Sequence, residues 1–297
     1  RKSLDTYAGL KGLASRDDSV LADKISRLII WYSLQKRDLS DEDRNYLDTS
    51  LVECYRRYGI TFDNASVLNE DGSFCEMPVL ADWYDVLQSN ADTKHLAVVL
   101  ARYVTGSASA MGSRNEIDLD NKYIVIDTSG MPDDLLLPGI FWATDIANDL
   151  ISGAGGQLSA LISDELWSLV GANSNPAAGY IQEMVKTIRG LGGIAITSTQ
   201  GMQDLFSLDN GKYGKGILDS SRIKIVMQME EQEARLIQNV LNLSEEEVRQ
   251  ITRFRRGEGL LCIGYNHVPI AFYATQKEYD AITTSPTDLL NRKEREA

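Results

Sequence analysis

Two short apolar runs constrain this chain more than any other feature. The first, Leu158-Ser-Ala-Leu-Ile-Ser, ends in Asp164-Glu165; the second, Gly193-Ile-Ala-Ile-Thr-Ser, ends in Thr199-Gln200. Between them, residues 176–190 place Tyr180, Ile181, Met184, Val185 and Ile188 on one helical face. Gly190, Gly192 and Gly193 end that helix. Strand, helix, strand is a βαβ unit, with two buried parallel strands and a right-handed crossover expected.

Parallel strands bring their carboxyl ends to one rim, where ligands of open α/β sheets bind. Here that rim would carry Asp164, Glu165, Thr199 and Gln200. An acid in such a place can hold a magnesium ion, directly or through water. A second acid can orient or deprotonate an attacking water. A glutamine on the adjacent strand can sense the terminal phosphate of a nucleotide. Each signal has a bland counterpart, since many strands end in an acid and a Gln at a strand tip can simply be solvated. The two strands with their helix favour nucleotide hydrolysis.

Composition removes several other classes. With 297 residues the chain has room for one large domain or two modest ones. Its 43% apolar and 25% charged residues are ordinary for a globular protein. No apolar run is long enough to span a bilayer. Cys54, Cys75 and Cys262 lie far apart without a Cys-x-x-Cys. With only two histidines beside them, a structural zinc site is not expected, and reduced thiols in a cytoplasmic setting are. A net charge of −13 argues against a general nucleic-acid binder, whose affinity rests on Lys and Arg at phosphates. Two local basic clusters remain. Lys212, Lys215, Arg222 and Lys224 read as a solvated face; Arg249, Arg253, Arg255 and Arg256 are denser.

The pattern changes along the chain. Residues 1–115 read as a helical subdomain. Val20 to Tyr32 recur at helical spacing, Ser40 and Asp43 suggest a capped start, Pro78 suggests the first turn of another helix, and residues 90–104 suggest one more. Residues 116–284 read as an α/β core, and residues 285–297 as a polar tail. Besides the βαβ unit, the core should hold strands at 122–127 and 222–228 and helices at 133–150 and 230–241. A helix opened by a Ser244–Glu247 capping box should follow, then a hairpin of 257–264 and 267–273 around a Tyr-Asn turn. Trp31, Trp83, Trp142 and Trp167 read as core residues.

A phosphate loop, Gly-x-x-x-x-Gly-Lys-Ser/Thr, occurs nowhere in these residues. Gly153-Ala-Gly-Gly156 lacks the lysine and precedes a strand. With Arg1 in place of an initiator Met, the expectation is that the loop lies upstream of Arg1. The alternative is a degenerate ATPase without one.

The motifs fall in an order that resembles a family. Cys75-Glu-Met-Pro78-Val-Leu-Ala-Asp-Trp-Tyr, Gly106-Ser, and a strand ending at Asp127 come first. Ser163-Asp164-Glu165-Leu-Trp167, Ile188-Arg189-Gly-Leu-Gly192-Gly and Thr199-Gln200-Gly-Met-Gln203-Asp204-Leu follow. Ser220-Ser221 and Gly257-Glu-Gly259-Leu-Leu-Cys-Ile-Gly264 complete the series. Over roughly residues 70 to 275 the chain resembles the large ATPases of conjugative type IV secretion systems, the VirB-four class with its TraC and TraE types.

The resemblance implies a RecA-like P-loop NTPase sheet with helices on both faces, the helical region being an insertion. It implies ATP and Mg2+ as cofactors. Asp164 matches the magnesium-associated acid, Glu165 the hydrolytic base, and Gln200, with Thr199 beside it, the phosphate sensor. Arg189 matches one position of an Arg-x-Arg-Lys pattern in which Thr187 and Gly190 stand here for the other basic residues. It is either a finger reaching a neighbour's nucleotide or a surface arginine favoured by a helix C-terminus. Arg255 and Arg256 are a second finger candidate. The implied protein is a homo-oligomeric motor, hexameric in the family, at the cytoplasmic inner face of the cell membrane. It would work with a coupling ATPase and membrane channel proteins, with DNA or protein as cargo. A DNA translocase of the HerA or FtsK kind or a coupling ATPase is the first alternative; the net charge and the Cys-Glu-Met-Pro segment speak against it. A non-hydrolysing docking module is the second.

Overall fold

Ser19 opens the first helix. Its hydroxyl accepts from the Ala22 amide, and α1 (Val20–Ser33) buries Val20, Leu21, Ile25, Leu28 and Tyr32 along one face. The structure, a computed structural model, describes residues 19–112, 121–154, 156–164, 166–170, 174–199, 201–283, 285 and 288. By its internal contacts the chain divides between Ser220 and Ser221 into two compact units.

In the first unit, Ser40 and Asp43 form the anticipated capping box of α2 (Asp41–Arg56). Pro78 stands just ahead of α3 (Leu80–Gln88) and not in its first turn. Val79 is the cap, and its amide donates to Asp82 at 2.7 Å. The α4 helix (Lys94–Val104) packs on α3, and the short α5 (Ser109–Gly112) follows. Several buried polar groups in this helical core are paired, which offsets the cost of desolvation. Trp83 Nε1 donates to Ser50 Oγ at 2.8 Å, and the Tyr32 hydroxyl to the Leu96 carbonyl at 2.7 Å. Burial pushes the Cys54 thiol up to about 12, which leaves it neutral and unreactive.

The expected strand at 122–127 is not formed. Residues 122–127 take no part in a sheet, and Tyr123 and Val125 are exposed. A strand exists through its ladder partner, and among the described residues this segment has none. The chain then enters α6 (Asp133–Gly153), β1 (Ser159–Asp164), the short α7 (Trp167–Val170) and α8 (Asn175–Thr187). A 3-10 turn, Ile188–Leu191, leads through Gly192 (φ 82°) into β2 (Gly193–Ser198). The two strands pair in parallel, with Ser159 opposite Gly193 and Asp164 opposite Ser198. Next come α9 (Met202–Ser207) and α10 (Lys212–Ser220), and α10 packs on α8 and α9.

The two strands are less buried than their apolar sequences suggested. Leu161 turns into the core and α6 packs on β1. On the opposite face Ala160, Ile162, Ile194 and Ile196 are exposed, Ile162 to 73%. Alternate side chains of a strand face opposite ways, and among the described residues helices cover the Leu161 face only.

The second unit begins with β3 (Ile223–Met227), followed by α11 (Glu231–Leu241) and α12 (Glu245–Arg253). Then come β4 (Glu258–Ile263), β5 (Asn266–Ala271) and α13 (Gln276–Ile282). Its sheet runs β3-β4-β5 and is antiparallel throughout, so β3 pairs with β4 and not with β1 or β2. The hairpin loop is Gly264-Tyr265, one residue earlier than the expected Tyr-Asn. Gly264 has φ 61°, which a glycine-first two-residue loop requires. Ser244 and Glu247 form the expected capping box, and Glu247 also reaches His267 Nδ1 on β5 at 2.7 Å. Burial alone would raise the Glu247 pKa; the hydrogen bonds from Ser244 and His267 outweigh it and hold the carboxyl below its ordinary value. The expected polar tail lies almost wholly outside the described residues.

One polar cluster is buried in the first unit. Asp145 of α6 takes Lys24 Nζ at 3.0 Å and Arg27 Nε at 2.9 Å, both from α1. Burial opposes ionisation of Asp145, but Lys24 and Arg27 overcome it and lower its pKa. A depressed carboxylate pKa contributes stability above its unfolded value, and that contribution fades as pH falls through the folded one. Asp145→Asn is expected to destabilise the protein by about 3–5 kcal/mol at neutral pH, because it removes the buried anion that Lys24 and Arg27 both face. The difference from the parent should shrink as pH falls below about 4. Chemical denaturation at both pH values checks this.

Candidate functional site

The parallel register of β1 and β2 places Asp164 and Ser198 side by side at the carboxyl rim. Both are exposed, and the Ser198 hydroxyl donates to Asp164 Oδ1. Ser198 was not among the residues singled out from the sequence, since a serine before Thr-Gln carries no signal of its own. Its role appears only from the pairing. Next to it, Thr199 Oγ1 donates to the Gly201 carbonyl at 3.1 Å and accepts from the Gly201 amide at 3.3 Å. This local turn directs the chain off the strand toward α9. Glu165 and Gln200 directly follow Asp164 and Thr199 and lie outside the described residues.

The rim offers hard oxygen donors: one carboxylate and the hydroxyls of Ser198 and Thr199. That donor set fits Mg2+, which takes one or two carboxylates and fills its remaining positions with waters and substrate phosphate oxygens. No all-protein cage is needed. Among the described residues no group of three or more His, Cys, Asp or Glu could hold a metal by itself.

Arg189 sits elsewhere. It is exposed in the 3-10 turn that precedes β2, whereas Asp164 and Ser198 end their strands. Six residues of strand separate the two ends by roughly 17 Å at about 3.3 Å per residue. The structure therefore does not bring Arg189 to the Asp164 rim of its own chain. Arg255 and Arg256 belong to the second unit, between α12 and β4, and are exposed.

The Cys75-Glu-Met-Pro motif has a structural role. Cys75 pairs through its amide with the Val67 carbonyl, Met77 and Leu80 are buried, and Trp83 is fully buried. Trp31 and Trp167 are buried as expected, while Trp142 is only partly so.

Comparison with known proteins identifies the family and the fold. The TraG P-loop domain family matches residues 77–290, well over half of the chain. Among solved structures, that of VirB4 of Thermoanaerobacter pseudethanolicus is similar, with a TM-score of 0.78 and 26% sequence identity. The match covers 93% of this chain and 76% of that one. No curated protein matches. A P-loop family match over most of the chain, on a VirB4-like α/β fold, means that the chain belongs to the TraG P-loop domain family, among the conjugative type IV secretion ATPases of the VirB4/TraC class.

Proposed function

We propose that the full-length protein hydrolyses ATP at a site to which the β1–β2 rim contributes, and that the site is completed by Arg189 of a neighbouring copy. The observation that carries this reading is the parallel pairing. It sets Asp164 and Ser198 together at the carboxyl rim and leaves Arg189 at the far end of β2. An exposed arginine about 17 Å from its own rim suits a ring in which each subunit finishes the next one's site.

Each residue then has a task. Asp164, which accepts from Ser198, would hold Mg2+ directly or through water. Glu165 takes a proton from the attacking water. Thr199 and Gln200 contact the terminal phosphate, and hydrolysis releases ADP and phosphate. Bound Mg2+ would neutralise phosphate charge. Arg189 in trans would stabilise the charge on the transferring group. Arg255 and Arg256, exposed in the second unit, are the next candidates for that task.

At the level of the whole protein, the proposal is a homo-oligomeric ring, hexameric as in the resembling family. It would sit at the inner face of the cell membrane with a coupling ATPase and channel proteins, and power channel assembly and transfer of DNA or protein. The helical residues to about 115 would form one functional part and the α/β residues to 284 another. Among the described residues no helix is long and apolar enough to cross a membrane.

In the full-length protein, Glu165→Gln should retain ATP binding and lower turnover by roughly a hundredfold or more. Turnover near the parental rate would remove Glu165 as the base. Asp164→Asn should weaken the magnesium dependence of nucleotide binding and leave the fold intact; an unchanged magnesium titration would refute its assignment. Arg189→Ala should lower turnover by about a thousandfold, the usual scale for an arginine finger. Mixing with Glu165→Gln subunits should restore activity, because mixed rings contain sites with both groups present. Mixed rings that stay inactive would argue against action in trans.

A further inference from the structure

The buried cluster around Asp145 is larger than an ion pair and touches three elements. On α6, Asp145 and Asp149 stand one helical turn apart, both buried. From α1, Lys24 Nζ donates to Asp145 Oδ2 at 3.0 Å. Arg27 Nε lies 2.9 Å from Asp145 Oδ1, at an angle that makes it an ion pair and not a hydrogen bond. The two terminal guanidinium nitrogens of Arg27 meet the Asp149 oxygens at 2.9 and 3.3 Å. From α8, the Tyr180 hydroxyl donates to Asp145 Oδ1 at 3.0 Å, and its ring packs on Phe141 of α6 with centroids 5.1 Å apart. One carboxylate thus ties α1, α6 and α8 together, with two cations facing two anions.

Buried ion pairs contribute little net stability compared with apolar packing, but they are intolerant of misplacement. What the cluster supplies is geometry. Two routes lead from it to the turn that carries Arg189. Along α8, nine residues separate Tyr180 from Arg189, about 13 Å of continuous helix and turn. Along α6, Ile151 follows Asp149 by two residues and meets Ile188 of that turn across Gly193. A Cβ added to Gly193 would come within 2.6 Å of Ile188 Cγ1 and 2.8 Å of Ile151 Cγ2. Both helices that grip the Arg189 turn therefore have their relative placement set at Asp145.

We propose that Asp145 and Tyr180 are positioning residues for hydrolysis. They hold the Arg189 turn where Arg189 can complete a neighbour's site, and they make that placement depend on α1 of the helical region. The inference rests on the assignment of Arg189 given above.

Because Asp145→Asn destabilises the fold, the informative variant is Tyr180→Phe, which removes one hydroxyl and keeps the ring on Phe141. ATPase kinetics and thermal unfolding of the full-length protein would compare the parent, Tyr180→Phe, Arg189→Ala and the double variant. The expected result for Tyr180→Phe is a kcat lowered about tenfold, the scale of one hydrogen bond to a charged group. KM for ATP should stay close to the parent, and the unfolding midpoint should fall by no more than roughly ten degrees, the loss of one buried hydrogen bond. The double variant should be no slower than Arg189→Ala alone, and mixing Tyr180→Phe with Glu165→Gln subunits should restore turnover. A Tyr180→Phe protein with parental kcat would overturn the proposal. So would losses that multiply in the double variant, since the hydroxyl would then act independently of Arg189. If Arg189→Ala itself kept full turnover, the assignment of Arg189 would fall and this inference with it. Loss in Arg189→Ala with none in Tyr180→Phe would remove the inference alone.

Discussion

The pairing of β1 with β2 is the constraint on which the site depends. Six residues of each strand run in parallel register, so that whatever ends the two strands must meet at one rim. That single geometric fact brings Asp164 to Ser198, sets the places from which Glu165 and Gln200 continue, and sends the connecting helix back to start β2 at the other end. Arg189 is exposed there because the helix has to finish before the strand begins. The turn that leads from the helix into β2 lies at the amino end of the strands, so its arginine is held away from the carboxyl rim of its own chain.

The connection between the strands is itself held from outside. The α8 helix buries Ala177, Ala178, Ile181 and Met184, and the hydroxyl of its Tyr180 donates to the Asp145 carboxylate. Asp145 is in turn held by two cations from α1, more than a hundred residues earlier. The helical region and the strand rim thus share one core in the first unit. This gives a physical route by which a change in the helices could be felt at the turn after α8.

Much of this was legible in the sequence because it is encoded over short spans. Helix starts at Ser40 and Ser244 follow from a side chain and an amide three residues apart. The βαβ unit follows from periodicity over some forty residues, and the hairpin from two apolar runs joined by a short turn. The family order of motifs is likewise a property of the linear chain. The strand expected at 122–127 failed for the complementary reason. A run of apolar residues marks a segment that can pair, but pairing needs a partner, and the described residues offer none.

The sequence by itself determined most of the elements, their caps, and which residues end the two strands, Asp164 and Thr199 among them, all of which depend on neighbours within a few residues. Only the tertiary structure decided that Ser198 supports Asp164, that β3 pairs with the C-terminal hairpin, that one sheet face stays open, and that Asp145 joins three helices. Those outcomes depend on groups far apart in the chain, Lys24 and Asp145 being separated by 121 positions. Over such distances the choice of partner is made by burial and charge satisfaction in the folded core, which local propensity does not encode.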